Sequence, residues 1–141
     1  MGDTFSYRIF LIDDDVDLLM LLERVLAAAG YVVETAASIE EAEDLRHRFA
    51  PHLYLIDINV RGEDGRRLCW KIKMQEGTPY VKVLLHTGYD WNSGRGALFG
   101  ADEVLAKPAP SEYLLLRMRY HLKRMELERA RGTGLDLPAS N

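Results

Sequence analysis

Short apolar runs alternate with longer stretches of helical periodicity along the chain. A run with few polar residues, such as Tyr7–Ile12, is typical of a strand that is buried on both faces of a sheet. A stretch with apolar residues three or four positions apart, such as Val16–Ala29, is typical of an amphipathic helix. The pattern predicts strands at 7–12, 31–35, 53–56, 81–85 and 103–106, and helices at 16–29, 38–49, 65–75, 88–100 and 111–131.

Capping signals support the predicted helix ends. Asp15 stands directly before the first helix, where its carboxylate can cap the backbone N–H groups. Ser38, followed three residues later by Glu41, has the spacing of a capping box. The fourth predicted helix is interrupted by Gly94 and Gly96, so we expect it to be brief or bent.

Strands that alternate with helices favour an α/β fold. The expected architecture is a doubly wound, five-stranded parallel sheet with five helices, the last of them extended. One domain over 7–131 accounts for the pattern, and the Gly- and Pro-containing tail 132–141 is predicted to be disordered.

Composition narrows the class of protein. The 141 residues are 48% hydrophobic and 28% charged, as in a globular domain, and the 22 acidic residues exceed the 18 basic ones by four. The lone cysteine, Cys69, excludes an internal disulfide framework or a multi-cysteine zinc site. The acidic body argues against direct binding of nucleic acid, and the lack of a long apolar segment argues against a membrane protein. We therefore expect a cytoplasmic protein.

Polar residues follow the predicted strands. Asp13, Asp14 and Asp15 come after the first strand, Asp57 after the third, Thr87 after the fourth and Lys107 after the fifth. Each alone is compatible with a structural role, such as that of Asp15 as a helix cap. Together they converge, because the carboxyl ends of parallel strands meet at one edge. Crowded carboxylates attract Mg²⁺, and an ammonium and a hydroxyl beside them suit phosphoryl transfer.

These residues resemble the receiver domain of two-component response regulators, the CheY-like family. The motifs are Asp13-Asp14 after LI, Asp57 in LYLIDINV, Thr87-Gly88 in LLHTGY and Lys107-Pro108 in VLAKP. They occur in the family's order and spacing, and the resemblance spans residues 8–124.

The resemblance implies a flavodoxin-like fold and a specific set of roles. Asp57 would accept a phosphoryl group from a sensor histidine kinase or a histidine phosphotransfer protein. Asp13, Asp14, Asp57 and the backbone carbonyl of Asn59 would hold Mg²⁺, with Asp13 acting through a water.

The remaining motif residues would serve the phosphoryl group. Thr87 and Lys107 would contact it, Gly88 would leave room for it, and the peptide between Lys107 and Pro108 would be cis. The protein would catalyse only its own phosphorylation and dephosphorylation, and it would signal to a downstream protein.

Two positions depart from the family pattern. Arg61 stands where the family usually has proline, and Val104 stands where it usually has an aromatic residue that moves with the threonine. The sequence is similar in this respect to an atypical subgroup that lacks the aromatic. We therefore expect the signal to leave through the loop at 88–96, with Tyr89 or Trp91 as the moving side chain.

Three different functions are compatible with at least some of these residues. A stand-alone receiver without an effector domain is favoured, although the chain could be a receiver cut from a longer protein. A pseudo-receiver that is never phosphorylated should have lost an acidic residue of the site. A phosphatase with an aspartate nucleophile is suggested by the weak similarity of the segment at Asp57 to a DxD motif, but Asn59 replaces the second aspartate.

Other residues carry structural expectations. Cys69 is expected in the core, His86 as a core imidazole with a hydrogen-bond partner, and His121 on the surface. The last helix has two apolar stripes. Leu114, Met118, Leu122 and Met125 are expected to dock on the sheet, whereas Leu116, Tyr120 and Leu127 would remain for a partner or for a homodimer.

Overall fold

A computed structural model describes residues 6–88 and 99–132 of the chain. The strands are β1 (Arg8–Ile12), β2 (Val32–Ala36), β3 (Leu53–Asp57), β4 (Asn59–Val60), β5 (Glu63–Asp64), β6 (Lys82–Thr87) and β7 (Glu103–Ala106). The helices are α1 (Val16–Ala28), α2 (Ile39–Phe49), α3 (Gly65–Trp70), which continues as a π-helical turn at Lys71–Gln75, and α4 (Ser111–Gly132).

The main sheet has five parallel strands in the order β2-β1-β3-β6-β7. The strand order reverses between β1 and β3, and a crevice opens at such a switch point beyond the carboxyl ends of the strands. Ile12 is paired with Ile56, so Asp13 and Asp57 follow at the same level on neighbouring strands. The fold therefore brings these two carboxylates to the crevice.

Two hydrophobic clusters cover the two faces of the sheet. Alternate residues of β1 divide between them, since Ile9 and Leu11 belong to one cluster and Phe10 and Ile12 to the other. The first cluster takes its helical residues from α1 and α4: Leu19, Leu22, Leu26, Leu114, Met118, Leu122 and Met125. The second takes them from α2, α3 and the π-helical turn: Ala42, Leu68, Cys69 and Ile72. The predicted doubly wound α/β fold is confirmed, and so are the core position of Cys69 and the docking stripe of the last helix.

The predicted caps are present. The side chain of Asp15 accepts a hydrogen bond from the N–H of Leu18 at 3.1 Å. The hydroxyl of Ser38 accepts one from the N–H of Glu41 at 3.1 Å, while the carboxylate of Glu41 accepts from the N–H of Ala37. The bonds from the N–H groups of Leu18 and Glu41 satisfy donors that the first turns of α1 and α2 would otherwise leave unpaired.

Several local expectations differ from the structure. The loop after β3 contains the small β4–β5 hairpin, which the apolar pattern did not indicate. His121 is buried beside Glu103 rather than on the surface, with 2.7 Å between its Nε2 and a carboxylate oxygen of that residue. His86 is buried as expected, but neither ring nitrogen has a hydrogen-bond partner within residues 6–88 and 99–132.

Part of the predicted organisation lies outside the described residues. Most of the helix predicted at 88–100, including Tyr89 and Trp91, is not among the described residues. The same holds for nearly all of the tail predicted at 132–141. The structure describes four α-helices in the rest of the chain. None of the helices within the described ranges is long and apolar enough to cross a membrane.

Candidate functional site

Two buried carboxylates and one ammonium meet at the crevice. Asp13 follows β1, Asp57 ends β3, and both are almost fully shielded from solvent. Lys107 follows β7, and its Nζ lies 2.7 Å from an oxygen of Asp13 and 3.3 Å from an oxygen of Asp57. Three strands that are distant in sequence thus deliver one ion-paired cluster, and the predicted convergence of these residues is confirmed.

Backbone N–H groups orient the three acidic side chains. Asp13 accepts a hydrogen bond from the N–H of Asp15 at 2.9 Å. Asp57 accepts one from the N–H of Asn59 at 3.2 Å, and Asp14 accepts one from the N–H of Arg61 at 2.8 Å. Because these donors belong to the segments that directly follow β1 and β3, the carboxylates are fixed by the local chain path.

The same acidic residues meet the chemical requirements of a divalent cation. Asp13, Asp14 and Asp57 each offer one carboxylate oxygen, and these oxygens lie within 4.8 Å of one another. Oxygen donors and concentrated negative charge suit a hard cation such as Mg²⁺, which needs only one or two carboxylates beside its waters. Asp14 is exposed, whereas Asp13 and Asp57 are buried, so the cluster opens to solvent on the Asp14 side.

Burial and mutual repulsion shape the protonation of the cluster. Burial raises the pKa of Asp57, and the neighbouring charge of Asp13 raises it further, while Lys107 acts in the opposite direction. Burial alone would lower the pKa of Lys107, but its hydrogen bond and charge interaction with Asp13, together with the charge of Asp57, hold that pKa above its usual value. Lys107 therefore remains a cation beside two carboxylates.

Gly65 is a site-forming residue that sequence reasoning recognised only as the start of a helix. A methyl group on its Cα would overlap the carbonyl oxygen of Asp57 and would lie 2.8 Å from Cγ2 of Ile56. The Gly65 N–H also donates to the carbonyl of Ile58 at 2.7 Å. The start of α3 therefore packs directly against the backbone of Asp57, and only glycine allows this approach. A single sequence holds no signal for such a contact, because it joins residues across a hairpin.

Thr87 and Lys107 are linked through their main chains. Thr87 is the last residue of β6 and is buried, and its carbonyl oxygen accepts a hydrogen bond from the N–H of Lys107 at 2.8 Å. The Lys107–Pro108 peptide is cis, as the resemblance implied.

Val104 stands at one of the two departures from the family pattern. It is partly buried against the hydrophobic cluster that contains Leu85, its partner in the strand register.

The other departure, Arg61, has a local backbone reason. Arg61 adopts a positive φ of 52°, in the left-handed region, and its N–H donates to Asp14. Proline can adopt neither feature, because its ring fixes a negative φ and removes the N–H. The loop beside the acidic cluster therefore follows a path that a proline at this position would not permit.

Comparisons with known proteins agree with this geometry. Residues 9–119 match the family described as the response regulator receiver domain. The chain is 34% identical over 116 residues to the response regulator PleD of Caulobacter vibrioides, covering 81% of this chain and 26% of that protein. It is 31% identical over 117 residues to the probable transcriptional regulator ycf27 of Guillardia theta, covering 83% of this chain and 46% of that protein. The chain thus spans less than half the length of these relatives.

Solved structures of similar domains show the same fold. The CheY-like response regulator receiver domain protein of Methanospirillum hungatei JF-1 superposes with a TM-score of 0.78 at 30% identity, over 88% of this chain and 99% of that one. The BeF₃-activated receiver domain of RstA from Klebsiella pneumoniae gives a TM-score of 0.72 at 28% identity, over 82% of this chain and 97% of that one. The chain belongs to the family of response regulator receiver domains.

Proposed function

We propose that the protein is a phosphorylation switch whose phosphoacceptor is Asp57. The observation that carries this proposal is the placement of Lys107 between Asp13 and Asp57, beside a group of oxygens that fits Mg²⁺. The phosphoryl donor would be a phosphohistidine of a sensor kinase or of a histidine phosphotransfer protein in the cytoplasm. Beyond its own phosphorylation and dephosphorylation, the domain would catalyse no reaction.

In the transfer step, a carboxylate oxygen of Asp57 attacks the phosphorus of the phosphohistidine. The new O–P bond forms as the P–N bond breaks, and the imidazole leaves with the electron pair of that bond. The ammonium of Lys107 offsets negative charge on the phosphoryl oxygens, and the hydroxyl of Thr87 donates a hydrogen bond to one of them. Water later attacks the phosphorus, which releases inorganic phosphate and restores the Asp57 carboxylate.

Asp13, Asp14, Asp57 and the backbone carbonyl of Asn59 would hold Mg²⁺. When bound, the ion supplies positive charge that screens the carboxylates from the incoming phosphate. Asp13 and Asp14 thereby place that charge next to Asp57, and the hydrogen bond from the Arg61 N–H keeps the Asp14 carboxylate turned toward the site.

Phosphorylation would alter the ion pairs of Lys107. In the structure its ammonium is shared between Asp13 and Asp57. A phosphoryl group on Asp57 replaces the single charge of the carboxylate by a phosphate of up to two negative charges, with new acceptors within reach of the same ammonium. Because the N–H of Lys107 is bonded to Thr87, a shift of the lysine is transmitted to the end of β6. The altered surface would then be read by a downstream protein partner.

Phosphorylation by a small-molecule donor tests the proposal directly. The protein is incubated with acetyl phosphate and Mg²⁺ and analysed by intact mass spectrometry. We expect one acid-stable but base-labile acyl phosphate, no adduct in EDTA, and no adduct on Asp57→Asn, whose amide is a poor nucleophile. Asp44→Asn, which makes the same change on the exposed face of α2, is the matched control and should be phosphorylated normally.

Two results would replace the proposal. An unmodified wild-type chain, with the site shown to be folded, would make the protein a pseudo-receiver. Rapid release of many equivalents of phosphate per chain, dependent on Asp57, would make it a phosphatase.

A further inference from the structure

The loop beside the acidic cluster is a tight turn whose first central residue is Arg61. Val60 of β4 pairs with Glu63 of β5 in antiparallel fashion, so only Arg61 and Gly62 lie between the paired residues. Both adopt a positive φ, 52° at Arg61 and 85° at Gly62. A two-residue hairpin loop with positive φ at both central positions is a type I′ turn, which prefers asparagine followed by glycine. Gly62 fits this preference, whereas Arg61 does not.

The backbone of the turn does not explain why this residue is an arginine. In the left-handed region the Cβ atom crowds the backbone, and arginine lacks the short polar side chain that lets asparagine tolerate this conformation. Arg61 therefore lowers the stability of the turn relative to the residue that the turn prefers. Side chains held in such conformations cluster at functional sites, which directs attention to what the guanidinium does.

Two hydrogen bonds fix the turn to the rim of the acidic cluster. The N–H of Arg61 donates to a carboxylate oxygen of Asp14 at 2.8 Å, and the N–H of Gly62 donates to the side-chain oxygen of Asn59 at 2.9 Å. Asp14 is the exposed member of the cluster, and the other two carboxylates are buried. A phosphoryl donor must therefore approach on the Asp14 side, where the turn places Arg61.

The charges at this rim are predominantly negative. The cluster has three carboxylates and the single ammonium of Lys107. Further exposed acids belong to the segments that follow β1 and β3: Asp15, Asp17 and Glu63. Arg66 is ion-paired with Asp64 at 2.7 Å, whereas the exposed side chain of Arg61 has no ion pair within residues 6–88 and 99–132. A dianionic donor is repelled by this rim, and the guanidinium of Arg61 offsets the repulsion.

We propose that Arg61 binds the phosphoryl group of the incoming donor before its transfer. This inference rests on the proposed function, because it takes Asp57 as the acceptor, and it adds a residue that selects donors by their charge. A guanidinium presents several N–H groups in a geometry that matches phosphate oxygens. Since Arg61 acts on the approach of the donor and not on the bond that forms, its loss should raise the half-saturating donor concentration more than it lowers the limiting rate.

Phosphorylation of the chain by acetyl phosphate and Mg²⁺, followed at increasing donor concentration, tests the proposal. Arg61→Asn removes the charge and supplies the residue that a type I′ turn prefers, so its urea midpoint should not fall. At low ionic strength its rate with subsaturating donor should fall about threefold to fivefold, as expected for one cation acting on a dianion at about 8 Å in water. Arg61→Lys keeps the charge and should stay within about twofold of the wild type. Arg48→Asn, the same change in the last turn of α2, is the matched control and should leave the rate unchanged.

Salt and donor charge separate an electrostatic role from a structural one. The deficit of Arg61→Asn should nearly vanish at about 0.5 M salt, and it should be smaller with phosphoramidate, a monoanion, than with acetyl phosphate, a dianion. A wild-type rate for Arg61→Asn at low ionic strength, or a deficit that is independent of salt and donor charge, would overturn this inference while the phosphorylation of Asp57 stands. A wild-type chain that is not phosphorylated on Asp57 would overturn the proposed function and this inference together.

Discussion

Replacement of the Asp57 carboxylate by an amide should stabilise the metal-free protein. An oxygen of Asp57 lies within 4.8 Å of one from Asp13, and two unit charges at that distance repel by about 3.5 kcal/mol at an effective dielectric constant of about 20. The attraction to Lys107 at 3.3 Å is worth about 5 kcal/mol on the same scale. The exposed Asp14 adds a weaker, screened repulsion, and desolvation of the buried Asp57 carboxylate adds several kcal/mol to the unfavourable side.

These opposing contributions favour the neutral side chain. Asp57→Asn keeps the shape of the residue, and it leaves Lys107 paired with Asp13 at 2.7 Å. We expect the free energy of unfolding at pH 7.5 in EDTA to rise by about 1–3 kcal/mol. Urea unfolding followed by circular dichroism measures the change, and Asp44→Asn should stay within about 0.5 kcal/mol of the wild type.

The pH dependence follows from the raised pKa of Asp57. Native Asp57 holds its proton more tightly than unfolded Asp57, so the wild-type chain loses stability as the pH rises from the ordinary aspartate pKa of 3.8 through the raised native pKa. The advantage of Asp57→Asn should therefore grow over this range and then level off. Saturating Mg²⁺ should reduce it, because the ion stabilises the wild-type cluster. A less stable Asn variant in EDTA, or an advantage that is the same at pH 4 and pH 7.5, would refute this reasoning.

Two further variants test features that only the structure revealed. Gly65→Ala should lower the free energy of unfolding by about 1–3 kcal/mol and slow phosphorylation of Asp57, because the methyl group displaces the Asp57 backbone; equal urea midpoints for variant and wild type would contradict the close approach. His86→Leu should raise the free energy of unfolding by about 1–2 kcal/mol at pH 7, because it removes two buried ring nitrogens that lack partners among the described residues. Burial lowers the pKa of His86 to about 4, so the wild-type chain loses stability as the pH falls from 6.5 toward 4, and the gain should be larger at pH 5 than at pH 7. A gain that shrinks on acidification would contradict this assignment.

The alternation of apolar runs with helical stretches was sufficient to predict the sheet. The polar residues that follow the apolar runs were sufficient to predict the cluster at the edge of that sheet. An apolar run such as that of β3 has one plausible place, the middle of a sheet, and the residue that follows it must then lie at the carboxyl edge. Asp13, Asp57 and Lys107 are brought together by this rule alone, without knowledge of the loops. The caps at Asp15 and Ser38 were also predictable, because they are decided within four residues of sequence.

Features that depend on three-dimensional approach were beyond the sequence. The β4–β5 hairpin is held by the contacts of Asp14 with Arg61 and of Gly65 with Ile58, which join segments that no periodicity relates. The π-helical turn after α3 has the same apolar spacing as an ordinary helix, so its wider backbone left no mark in the pattern.

His121 and His86 show why a residue type is a poor guide to burial and to hydrogen bonding. His121 was expected on the surface, but α4 directs it toward Glu103 at the edge of β7, and the carboxylate partner makes burial of the imidazole favourable. His86 was expected to have such a partner, but it lies inside a parallel strand that is covered on both faces, and neither of its ring nitrogens has a hydrogen-bond partner among the described residues. The burial of His121 follows from its position on α4, and the lack of a partner for His86 follows from its position within β6.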